Sequence, residues 1–247
     1  MFAGKKIWII GSSSGIGAEL AKSLSNQGAI IILSARDENK LNNIKASLAG
    51  VGHRVYNLDV VDLEKVKSVL QKILDDLGGI DSVIFMAGTY RPKYDDNEIV
   101  LMKQVVDVNL MGAINVIYSV LPIFKKQNMG QIVLCASVAG FRGLPNGQPY
   151  CATKAALISL AESLYVENKK FNIDIRLINP GFVKTRLTDQ NNFNMPFLIS
   201  PEEAANSIVS GLRSNKFEIS FPKFFVYIMK ILRMLPNKLY FFLANKF

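Results

Sequence analysis

Short runs of aliphatic and β-branched residues alternate along the chain with longer segments whose apolar positions recur every three or four residues. A strand covered on both faces reads as an unbroken apolar run, and a helix laid across it keeps a single apolar stripe. The alternation therefore calls for a parallel sheet with crossover helices on both sides. The runs predict seven strands, at residues 5–10, 29–35, 54–58, 82–85, 131–136, 174–178 and 217–220. Helices are expected near 15–27, 38–48, 62–77, 98–127, 149–169 and 201–213. The last opens on Pro201-Glu202-Glu203, with proline in the first turn and acids at the positive end of the helix. The expected fold class is α/β, a doubly wound parallel seven-stranded sheet, and no repeat or linker interrupts it.

Composition narrows the class further. The chain has 247 residues, 49% of them hydrophobic, and two cysteines, which suits one large core and excludes disordered, collagen-like and disulfide-stapled classes. Two lysines precede a four-residue apolar run that stops at Gly11; this does not fit a signal peptide, so a cytoplasmic location is expected. Cys135 and Cys151 lack CxxC spacing and read as buried thiols in a reducing compartment. His53 is the single histidine, which argues against a His-ligated metal and a His-dependent triad; no metal site is expected. The net charge is +9, yet residues 213–247 hold seven cations against one acid, Glu218. The rest of the chain is close to balance and shows no basic stripe with interleaved aromatics, so nucleic acid is not an expected partner.

Ligands of such sheets bind beyond the carboxyl ends of the strands, where helices begin. Gly11-Ser12-Ser13-Ser14-Gly15-Ile16-Gly17 follows the first strand and opens the first helix. Its glycines allow a tight turn and close backbone approach to a pyrophosphate at the helix N-terminus, with Ser13, Ser14 and Ile16 beside it; the same spacing also occurs as plain helix–strand packing. Tyr150 and Lys154 stand at i and i+4 in the first turns of a long helix, where an ammonium beside a phenol is expected to lower the phenol's pKa toward working pH. Tyr165 and Lys169 repeat the spacing, but at the far end of that helix, where a solvated face is expected. Ser137, at the carboxyl end of the fifth strand, is placed to offer a hydroxyl to the same substrate oxygen as Tyr150.

Taken together these residues resemble the short-chain dehydrogenase/reductase family, in its single-domain Rossmann branch, over about residues 5–221. The matching positions are Gly11, Gly15, Ile16 and Gly17, Ala87-Gly88, Asn109, Ser137, Tyr150, Lys154 and Asn179-Pro180-Gly181. The resemblance implies that Tyr150 is the general acid or base and that Lys154 also binds the nicotinamide ribose. It further implies that Ser137 orients the carbonyl and Asn109 supports a water-mediated proton relay. It extends the cofactor contacts to Ala87, Gly88, Pro180, Gly181, Val183 and Thr185, and to Asp59 and Val60 at the adenine, although Asp59 is equally placed to cap the next helix. Two positions depart from the family pattern: Ile10 replaces the usual Thr, and Phe85-Met86 replace Asn-Asn. At the end of the second strand Ala35 supplies no acid for the ribose of NAD while Arg36 supplies a guanidinium that suits a 2′-phosphate, so NADP(H) is favoured over NAD(H).

Residues 182–198 mix Thr185 and Arg186 with Phe193, Met195, Phe197 and Leu198, as a lid over an apolar pocket would, and the resemblance places Tyr90, Phe141 and Leu144 near its mouth. The expected function is an NADPH-dependent oxidoreductase acting on a lipophilic small-molecule carbonyl or secondary alcohol. A non-catalytic NADP(H)-sensing protein and an isomerase or dehydratase on the same scaffold are the alternatives. Residues 1–221 read as the dinucleotide-binding and catalytic domain, and residues 222–247 as an amphipathic helical extension rich in cations and aromatics. An arm packing in a homo-oligomer and a peripheral helix on an anionic membrane surface both fit that extension; its apolar stretch is too short to cross roughly 30 Å of hydrocarbon.

Overall fold

Ile7, Trp8, Ile9 and Ile10 are almost wholly buried, as a strand flanked by helices on both faces must be. They form β1 (Lys6–Ile10), an inner strand of a sheet in the computed structural model, which describes residues 1–91 and 99–245. The other strands are β2 (Ile30–Ala35), β3 (Arg54–Asn57), β4 (Ser82–Phe85), β5 (Gly130–Cys135), β6 (Ile173–Pro180) and β7 (Glu218–Phe221). All seven run parallel in the order β3-β2-β1-β4-β5-β6-β7. The order reverses direction between β1 and β4, the switch point at which such sheets open a ligand crevice.

The helices are α1 (Gly15–Ser25), α2 (Glu38–Ala46), α3 (Leu63–Leu77), α4 (Ile99–Val106), α5 (Gly112–Gln127), α6 (Tyr150–Asn168), α7 (Pro201–Leu212), α8 (Lys223–Met234) and α9 (Asn237–Ala244). One core fills the α1 and α7 side of the sheet with Leu20, Leu24, Leu33, Ile178 and Ile208. The other, built on Trp8, Phe85, Val116, Phe124 and Leu157, lies under α3, α5 and α6. Two expectations change in detail. Strand β6 runs two residues past the expected 178 because Asn179 and Pro180 still pair with Ser220 and Phe221 of β7. The single helix expected over 98–127, whose first residue lies outside the described residues, is interrupted by a π turn at Asp107–Met111. That continuous stretch is long and apolar enough to cross a membrane by composition, but Val116, Ile117, Val120, Leu121 and Phe124 point into the core.

The chain after β7 continues as two helices, with residues 246 and 247 of the extension outside the described residues. Phe225, Val226 and Met229 of α8 join the core beneath the sheet. Helix α9 is tied to the loop before α6. The Arg142 guanidinium stands 4.3 Å from the Tyr240 ring centre and donates to the Arg233 carbonyl (3.2 Å) and Asn237 Oδ1 (2.7 Å), while the Tyr240 hydroxyl donates to the Gly143 carbonyl.

Candidate active site

The carboxyl ends of β1, β4, β5 and β6 open into one cleft of about 2630 Å³, lined by the glycine turn, the β2 end, the β4 loop, Ser137, Tyr150, Lys154 and residues 180–194. Sites for a single small molecule reach about 1,000 Å³, so the cleft has room for a dinucleotide and a second molecule. Of the expected site residues, Gly11, Ser13, Ser14, Gly15, Ile16, Gly17, Arg36, Asp59, Val60, Ala87, Gly88, Ser137, Tyr150, Lys154, Pro180, Gly181, Val183 and Thr185 all line it. Asn109 does not: it is fully buried behind the cleft wall.

At the β1 end, backbone crowding explains the glycines. A Cβ on Gly11 would stand 2.5 Å from the Ala87 nitrogen, and one on Gly17 2.3 Å from the Gly11 carbonyl oxygen. The turn is held by Gly11 N–H to the Ser34 carbonyl (2.7 Å) and by Ser34 N–H to Ser12 Oγ (3.1 Å). Of the positions that depart from the family pattern, Ile10 and Phe85 are buried in the core, so apolar packing supports this turn, while Met86 is half-buried at the cleft. Ser14, the N-cap of α1, makes no side-chain cap, whereas Asp37, Asp62 and Ser200 each cap their own helix. The first N–H groups of α1 are therefore left for an anion from the cleft, and the donor set fits a dinucleotide pyrophosphate.

Asp59 accepts from Val61 N–H (3.1 Å), while Asp62 caps α3, so Asp59 faces the cleft without the capping duty open to it in the sequence. Arg36 is exposed at the rim and, among the described residues, forms no ion pair. The neighbouring acid Asp37 is engaged by Lys40, at 2.7 Å through Nζ and 3.1 Å through its backbone N–H. Lys40 itself lines the cleft, a second cation that nothing in the glycine turn announced.

The reactive end gathers three elements. Ser137 follows β5, accepts from Ala139 N–H (3.1 Å) and donates to the Pro180 carbonyl (3.3 Å). Tyr150 opens α6 beside Ser137 at the cleft wall, and its ring meets Tyr90 edge-on at 5.1 Å. Lys154, one turn on, is 4% exposed, donates to the Cys135 carbonyl (2.8 Å) and lies 5.5 Å from the Tyr150 ring centre. The expected lowering of the phenol's pKa is not what this arrangement produces. Burial pushes the Tyr150 phenol above its ordinary value, helped by Cys135, and the Ser137 hydroxyl only partly opposes it. The ammonium is engaged with a carbonyl rather than the phenol oxygen, and burial pushes its own pKa down.

Asn109 sits in the π turn, a distortion common at functional sites. Its Oδ1 accepts from Thr89 N–H (2.7 Å), and its Nδ2 donates to the Thr89 carbonyl (2.9 Å) and Thr153 Oγ1 (3.2 Å). Asn109 thus clamps the β4 loop to α6; Thr89 and Thr153 carry no motif that marks them in the sequence. Residues 182–200 fold over the cleft, closed by Lys184 N–H to the Ile199 carbonyl (2.9 Å) and Ile199 N–H to the Phe182 carbonyl (3.1 Å). The methyl of Thr185 would lie 3.1 Å from a Cβ on Gly15, so this segment reaches the glycine turn. Tyr90 and Leu144 line the cleft as expected, but Phe141 is buried in the core beneath Lys230. In its place Phe225 and Met229 of α8 reach the cleft, with Phe225 stacked on Phe182 at 5.3 Å. Tyr165 is 43% exposed against Phe217, at the other end of α6 from the cleft.

A family model described as short chain dehydrogenase matches residues 5–195. An uncharacterized oxidoreductase of Myxococcus xanthus is 33% identical over 94% of this chain and 93% of its own length. Among solved structures, a ribose-5-phosphate isomerase from Brucella melitensis superposes with a TM-score of 0.81 at 22% identity, over 89% of this chain and 92% of that one. ElxO with NADP bound superposes with a TM-score of 0.78 at 23% identity, over 88% and 97%. At those identities the two structures establish likeness of fold.

Proposed function

The chain belongs to the short-chain dehydrogenase family of nicotinamide-dependent oxidoreductases, and from that premise we propose that it is an NADPH-dependent reductase of lipophilic carbonyls, able to run the reverse alcohol oxidation. The reading rests above all on the meeting of Ser137, Tyr150 and Lys154 at one wall of the cleft. The cofactor, when bound, supplies the hydride. Tyr150, protonated at neutral pH, gives its proton to the carbonyl oxygen, and Ser137 donates a hydrogen bond to the same atom. The buried ammonium of Lys154 stabilises the phenolate left behind. Asn109 holds Thr89 and Thr153, and through them the wall against which the nicotinamide would rest.

Preference for NADPH is supported by Ala35, by Arg36, which forms no ion pair among the described residues, and by Lys40 beside it. The glycine turn, Asp59 and Val60, Ala87 and Gly88, and Pro180, Gly181, Val183 and Thr185 would hold the remainder. A lipophilic substrate is supported by the Leu144, Phe182, Phe193, Phe225 and Met229 wall. Consumption of NADPH and NADH against ketones of increasing chain length tests the reading. Turnover should rise with chain length and be at least about tenfold better with NADPH, the size of one charge-assisted contact. Tight NADPH binding without turnover of any ketone would contradict it and favour a sensing role.

A further inference from the structure

Helix α8 is apolar on more of its circumference than the domain covers. Phe225, Val226 and Met229 face the core, but Phe224 (63% exposed), Tyr227 (64%), Ile231 (60%) and Met234 (83%) form a second stripe that faces away. The stripe continues onto the segment over the cleft. Phe197 holds a left-handed backbone, φ 58°, a conformation bulky residues rarely take, and sets its ring edge-on to Phe224 at 5.2 Å, with Leu198 exposed beside it. Phe225 is shared, meeting Phe182 in the cleft on one side and Phe197 on the other, so the apolar surface and the cleft mouth share one aromatic cluster.

The charge around this surface is mainly positive, with Glu218 beside α8 and Asp189 exposed on the segment over the cleft as its acids. Residues 223–244 carry Lys223, Lys230, Arg233 and Lys238 and no acid, while Lys184 and Arg186 are exposed on the neighbouring segment. Lys230 is taken up by Glu218 at 2.5 Å; among the described residues Lys223, Arg233 and Lys238 form no ion pair. A second copy of the chain meeting this face would bring cations against cations. An exposed Phe/Tyr/Ile stripe edged by cations suits a lipid surface with anionic headgroups, where apolar burial and charge attraction add. We propose that the outer face of α8 with Phe197 and Leu198 docks on an anionic bilayer and turns the mouth of the cleft toward the lipid, so that the lipophilic substrate enters from the membrane. The route for substrate rests on the proposed carbonyl reductase function; the docking does not.

The test is flotation of the full-length protein with phosphatidylcholine vesicles with and without phosphatidylglycerol, beside Y227E/I231E and K223E/R233E, none of these positions lining the cleft. The wild type should float with anionic vesicles only, less so as salt is raised, and each double variant should lose about tenfold or more of this binding. Both variants should reduce a short, water-soluble ketone at the wild-type rate yet turn over a long-chain ketone presented in anionic vesicles more slowly. No flotation of the wild type overturns the proposal. So does flotation indifferent to lipid charge or to both variants, or a wild-type dimer that Y227E/I231E converts to monomer without any change in flotation. Flotation is read without turnover, so loss of the docking claim and loss of the reductase reading give separate results.

Discussion

At the scale of single residues, desolvation governs Tyr150, and the Ser137 hydroxyl opposes it only in part. The phenol is raised rather than lowered, so it is protonated at neutral pH, as an ordinary tyrosine is, and it is a weaker acid than the i, i+4 spacing suggested. The sequence placed Tyr150 and Lys154 one turn apart correctly, but spacing cannot reveal that Lys154 spends a hydrogen bond on the Cys135 carbonyl. The other informative residue is Arg36, which, among the described residues, has no acid paired to it. Arg36→Ala should weaken NADPH binding by about tenfold to a hundredfold, from roughly 1.5–3 kcal/mol for a charge-assisted contact, and leave NADH nearly unchanged. Titration calorimetry with both cofactors measures this directly, and equal losses would rule out a 2′-phosphate contact.

At the scale of elements, the strands were legible because a strand buried on both faces is an apolar run with no polar alternative, as in Ile7 to Ile10. The π turn at Asp107–Met111 was not. It depends on the bonds of Asn109 to Thr89 and Thr153, both distant in the chain, and the local pattern there reads as uninterrupted helix. Just after it, Gly112 lets α5 close on the β3 loop: a Cβ there would stand 2.5 Å from Val60 Cγ2 and 2.9 Å from Val60 Cβ. Val60 is branched next to its backbone and has little room to yield. Gly112→Ala is therefore expected to cost about 1–3 kcal/mol by overpacking, despite alanine's better helix propensity. Urea unfolding would show the midpoint lowered; a raised midpoint would mean that α5 and the β3 loop part easily.

At the scale of the whole molecule, the extension after β7 is part of the wall and the core as well as a candidate contact surface. The sequence showed its cations and aromatics but not its orientation, because a helix apolar over most of its circumference does not say which side faces the domain. Ending the chain after Phe221 would uncover the cleft at Phe225 and Met229 and remove four buried side chains, Phe225, Val226, Met229 and Tyr240, with roughly 1.5–3 kcal/mol for each of the first three by transfer bookkeeping. The shortened chain should unfold at distinctly lower urea than the full one, and an unchanged midpoint would show that α8 contributes little to the core. The central claim is that the cleft reduces a carbonyl with the Tyr150 proton. It is tested most directly by supplying NADPH deuterated at the transferable position with a long-chain ketone and following label into the alcohol by mass spectrometry. The wild type and Tyr165→Phe should place one deuterium on the carbinol carbon at equal rates. Tyr150→Phe should bind NADPH as before and transfer label slower by several orders of magnitude. Label transfer by Tyr150→Phe at the wild-type rate, or none by the wild type with any ketone, would contradict the account.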